Sequence, residues 1–77
     1  PNPTTGLLYL TLDNKYVGRV TYSIFDAQGR LVMRKDVAKN INALFTTIDI
    51  SPMKTGTYII RANGGNDTFT VETILKN

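Results

Sequence analysis

The side chains in this sequence able to carry acid–base or metal chemistry are six carboxylates: Asp13, Asp26, Asp36, Asp49, Asp67 and Glu72. Glycoside hydrolysis would need two of them opposed across a scissile bond. Four sit in or beside turn-forming residues, where aspartate ordinarily accepts local backbone hydrogen bonds. Asp13, Asn14 and Asp26 offer loop oxygens of the kind calcium takes, but no spacing resembles an EF-hand. Histidine and cysteine are both absent. That removes the commonest general base, the commonest zinc ligand, and any Ser-His-Asp or Cys-His arrangement. Gly64-Gly65 precedes neither a helix pattern nor a lysine-serine pair, so it is not a phosphate loop. Asn66-Asp67-Thr68 fits the glycosylation pattern and reads more simply as a turn. Tyr9, Tyr16, Tyr22, Phe25, Phe45, Tyr58 and Phe69 would suit a sugar-stacking platform. Without tryptophan, core and cross-strand packing is their simpler use. The expectation is a chain with no catalytic residues, no metal ligands and no cofactor.

Charge points the same way. Nine Lys or Arg stand against six Asp or Glu, a net charge of +3. Arg30, Arg34, Lys35 and Lys39 fall close together, as in a nucleic-acid patch. No nucleic-acid motif accompanies them, so a solvated strand with charge-protected edges is the preferred reading and no nucleic-acid partner is expected.

The elements that must position these residues are strands. Leu8, Leu10 and Leu12 alternate with Leu7, Tyr9 and Thr11. Val20, Tyr22 and Ile24 alternate with Thr21 and Ser23. Thr46, Ile48 and Ile50 do so with Phe45, Thr47 and Asp49. Tyr58, Ile60 and Ala62 flank Ile59 and Arg61, and Phe69 and Val71 flank Thr70. Period two is the signature of a half-buried strand. In the segment from Arg30 to Val37, Leu31, Met33 and Val37 suggest an inward face that Val32 disturbs. Asp26-Ala27-Gln28-Gly29 reads as a hairpin loop with Gly29 at positive φ. Asn63-Gly64-Gly65-Asn66-Asp67 reads as a second, looser one. Pro52 cannot donate to a ladder, so the strand before it ends there. Asp49 is placed to accept backbone hydrogen bonds that hold this bend, and Tyr58 to bury its ring with its hydroxyl toward an edge. Val37 to Leu44 is where one turn of helix is conceivable.

Six such strands in 77 residues predict an all-β fold: a small, immunoglobulin-like antiparallel sandwich of six to seven strands. The expected core is Leu8, Leu10, Val20, Tyr22, Ile24, Ile48, Ile50, Tyr58, Ile60, Phe69 and Val71. Residues 1–6 read as a linker-like lead-in and 7–77 as one domain. A domain this small buries roughly 60–65% of its unfolded surface and holds about 3–5 kcal/mol of stability. No apolar run approaches the roughly 20 residues that span a bilayer. A start at Pro1 instead of Met suggests excision from a longer chain, with any export signal upstream.

Four blocks of the sequence resemble the type A C-terminal sorting domain of the Bacteroidetes type IX secretion system. Pro1-Asn2-Pro3-Thr4-Thr5-Gly6 is similar to the family's opening block. Val20 to Val32, reading VTYSIFDAQGRLV, resembles its central block. Ile48-Asp49-Ile50-Ser51 with Gly56-Thr57-Tyr58-Ile59-Ile60 resembles the next, and Thr73-Ile74-Leu75-Lys76-Asn77 the final strand. The closing residues are less basic than in many members. The resemblance implies a secretion tag with no activity of its own, fused to an upstream cargo and recognised by the outer-membrane translocon. It implies passage through the periplasm to the surface or the medium, with removal by a sortase-like peptidase. It carries Gly29, Asp49, Gly56, Tyr58, Phe69, Val71, Ile74, Leu75 and Lys76 over as recognition positions. The competing expectation is an immunoglobulin- or fibronectin-like accessory module that binds polysaccharide or a surface. Homodimerisation through strand edges is a further expectation.

Overall fold

The computed structural model describes residues 6–77; the lead-in residues 1–5 lie outside the described part. Six strands follow in order: β1 (Leu7–Asp13), β2 (Gly18–Phe25), β3 (Leu31–Lys39), β4 (Ala43–Asp49), β5 (Gly56–Gly64) and β6 (Asp67–Lys76). They form two antiparallel sheets, β1-β4 and β3-β2-β5-β6. The antiparallel β-sandwich is therefore as the alternation predicts. The stretch from Val37 to Leu44, where a helical turn was conceivable, is strand, a short bend, then strand.

The two inner faces meet in one core. Leu8, Leu12 and Ile48 come from the smaller sheet. Val20, Tyr22, Ile24, Tyr58, Ile60, Ala62 and Ile74 come from the larger, and Ile50 closes one end. Leu10 and Phe69 are only partly buried against this cluster. Val71, expected inside, is 56% exposed. The cause is a bulge: Ala62 pairs with Thr70 but Asn63 with Thr68, so Phe69 is an extra residue in β6. An extra residue reverses the inward phase along a strand. Phe69 thus reaches Tyr16 while Val71 turns out and Ile74 turns in. The bulge beside Leu31 does the same for β3, where Met33 and Val37 face inward and Leu31 does not.

The turns behave as their chemistry demands. Gly29 has φ +84° with Gly29 N–H donating to Asp26 O. The second hairpin is tighter than expected, since Gly64 pairs with Asp67 across Gly65 and Asn66 alone.

Arg30, Arg34 and Lys35 of the basic run are exposed as expected, but Lys39 is not. It is fully buried at the end of β3, and its Nζ donates to three carbonyls, of Asn14, Tyr16 and Ile41, each at 2.8 Å. A buried ammonium needs all its protons satisfied, and these three bonds tie the β1–β2 and β3–β4 connections to one point.

Candidate functional site: a sandwich pole and the outer face of the last strands

Register places the ends of all six strands at two poles. One pole gathers the start of β1, the Asp26–Arg30 turn, the β4–β5 connection, Gly56 and Lys76. Lys39 and its three carbonyls belong to the other pole. Of the nine carried-over positions, Gly29, Asp49, Gly56, Tyr58, Ile74, Leu75 and Lys76 fall at or near the first pole. Phe69 and Val71 lie farther along β6 toward the second.

The polar groups of the first pole answer one another. Asp49 Oδ1 accepts the Ser51 amide at 2.9 Å and the Ser51 hydroxyl at 2.6 Å, which fixes the bend before Pro52 as expected. These bonds, the Ser51 hydroxyl's foremost, hold the Asp49 carboxyl below its ordinary value. Asp26 does the same for its hairpin. It accepts the amides of Arg30 and Gln28 and the Arg30 guanidinium. The Arg30 amide is the main reason its carboxyl titrates low. Tyr58 buries its ring and donates its hydroxyl to Lys54 O at 2.7 Å, again as expected. Between the two loops runs a groove of about 460 Å³, lined by Asp26, Arg30, Met53, Lys54 and Tyr58. Its charged residues are Asp26, Arg30 and Lys54, with Asp26 and Arg30 paired at 2.9 Å. Among the described residues no three His, Cys, Asp or Glu side chains gather as a metal site.

Along β6 the carried-over residues divide by face. Ile74 and Lys76 turn inward and are buried, opposite Tyr58 and Gly56. Val71 and Leu75 turn outward, with 56% and 41% exposure. They share the outer face of the larger sheet with Phe25 and Ile59, and Arg61 lies over the Phe25 ring at 5.2 Å. Ile59 and Arg61 were not among the expected positions. Their signal was available: they form the polar-phase partner of the Tyr58–Ile60–Ala62 alternation, and an isoleucine there has no core to enter. Tyr9 and Phe45, expected to serve packing, are 61% and 76% exposed on the opposite outer face.

Exposed apolar strand faces on an all-β body are the kind of surface that a partner recognises. The family model described as the secretion system C-terminal sorting domain matches residues 1–77, the whole chain. The chain belongs to that family, and is a C-terminal sorting signal of type IX secretion. No curated protein matches the chain, and no solved structure matches it.

Proposed function

We propose that the folded tag is read by the outer-membrane translocon through β6, and that the upstream cargo follows it across and is afterwards released by a sortase-like peptidase. The observation that carries this reading is the division of labour along β6. Ile74 and Lys76 are held in the body while Val71 and Leu75 are offered outside it. A strand fixed by alternate residues presents the others in a defined geometry at little entropic cost. Gly29, Asp49, Gly56 and Tyr58 act upstream of recognition, by building the pole that holds the end of β6. No chemistry is assigned to the tag: export and cleavage are done by partners.

The test is fusion of residues 1–77 to a periplasmic reporter in a type IX-competent host. Reporter in the medium or on the cell surface supports the reading, and reporter retained in the periplasm removes it. Deleting Ile74 to Asn77 should trap the reporter. Val71→Lys keeps the core intact and separates recognition from folding, so normal export of that variant would refute the role of β6.

A further inference from the structure

The two outer faces of the sandwich carry opposite charge. On the larger sheet, register aligns Leu31, Phe25 and Ile59 in one outward row, with Arg34, Ser23, Arg61 and Val71 in the next. Arg19 stands two rows farther along β2. Among the described residues the one carboxylate on this face is Asp36, held by Thr21 and Arg34. The Thr21 hydroxyl first, then Arg34 and Arg19, hold the Asp36 carboxyl below its ordinary value. Three arginines against one aspartate leave this face positive. On the smaller sheet, Leu7, Tyr9 and Phe45 share the outer face with Asp13 and Asp49, against which stands the Lys35 ammonium at the β4 edge, donating to Thr47 O.

We propose that the outer face of β3-β2-β5-β6 is the docking surface of the tag, and that its partner is a translocon protein surface with an apolar centre flanked by carboxylates. This rests on the sorting assignment and deepens it. The row Leu31-Phe25-Ile59 with Val71 offers neighbouring apolar side chains on one sheet face, and Leu31, Ile59 and Val71 are exposed there, which suits an apolar protein face. Arg61 is braced over Phe25, and Arg34 against Asp36, so both guanidiniums are already ordered to meet carboxylates. The opposite signs of the two outer faces orient the approach: an acidic surface is drawn to the arginines and repelled by Asp13 and Asp49. Two copies meeting through this same face would place arginines against arginines, which disfavours a self-paired dimer. An anionic bilayer would also have to accept Asp36.

The experiment uses the reporter fusion in three forms: unaltered, Arg34→Glu with Arg61→Glu, and Tyr9→Ala with Phe45→Ala on the opposite face. Protease resistance of the periplasmic tag confirms folding in each. Export of the arginine variant should fall roughly tenfold, and the Tyr9/Phe45 variant should stay within about twofold of the unaltered fusion. Equal export by a folded arginine variant overturns the docking face and leaves the sorting assignment standing. An equal loss in the Tyr9/Phe45 variant overturns it as well. Failure of the unaltered fusion to be exported removes the sorting assignment and this face with it. Light scattering of the purified fusion across concentration provides the remaining arm. Self-association abolished by the arginine reversals would give the face to a second copy and overturn the proposal. So would binding to anionic vesicles lost in the same variant.

Discussion

Lys39→Met replaces a buried ammonium by an apolar group of similar length. The stem keeps its packing, but the carbonyls of Asn14, Tyr16 and Ile41 lose the donor each holds at 2.8 Å. An orphaned buried carbonyl costs about 1–3 kcal/mol. The three bonds are part-buried, so the low end applies to each, giving about 3 kcal/mol in all. A domain of this size holds only about 3–5 kcal/mol. The loss corresponds to a fall in Tm of roughly 12–24 °C. Lys39→Arg should recover little, because a planar guanidinium cannot direct three donors at carbonyls arranged around a point. Thermal melts followed by circular dichroism, with urea titration for ΔG, provide the measurement. Lys35→Met is the control. Lys35 is exposed and donates to Thr47 O alone, so its loss should cost less than about 1 kcal/mol. If Lys39→Met melts within about 4 °C of the unaltered protein, the ammonium is not what closes this pole.

Gly64→Ala should cost about 1–3 kcal/mol, since a Cβ there would meet Phe69 at 2.5 Å and Tyr16 at 2.7 Å; a urea midpoint unchanged from the parent would contradict the packing described. Tyr22→Phe with Thr46→Val should be neutral or stabilising, because both hydroxyls are buried without a hydrogen-bond partner. Burial pushes the Tyr22 phenol up and the neighbouring Thr46 hydroxyl tempers this, but the two are not in hydrogen-bonding geometry; a loss above about 1 kcal/mol in the double variant would show that they do bond. Asp26, Asp36 and Asp49 all have folded pKa values below the ordinary one. Their contribution is full above the unfolded value near 4 and is lost as pH falls through the folded values. Tm should therefore be flat from neutral pH to about 5 and decline below it, and replacing the three by asparagine should flatten that decline.

Most of the sandwich was legible because alternation is forced wherever one face of a strand is buried. Val20-Tyr22-Ile24 and Tyr58-Ile60-Ala62 carry that phase without interruption, and their faces follow directly. Val71 was misplaced because β6 changes phase at the bulge on Phe69. The clue is two apolar phases in one strand, odd at Phe69 and Val71 and even at Ile74. Lys39 was misplaced for a different reason. Its residue type argues for solvent, while its position continues the inward series Met33-Lys35-Val37. Position prevails because three backbone carbonyls meet where that series ends, and pattern alone does not show a convergence of loops. The pole was legible through Asp49, Gly29 and Tyr58, whose turn chemistry is local. The charged outer face was not, since its arginines come from β2, β3 and β5 and meet only through pairing.

Closing a loop cluster on the chain's own ammonium has a consequence for a protein that must change compartments. A disulfide would wait for an oxidant, and a bound calcium or zinc ion would exchange with whatever concentration lies outside. The seat filled by Lys39 is made of the chain's own carbonyls and its own ammonium, so its stoichiometry is fixed and it draws on no oxidant and no dissolved ion.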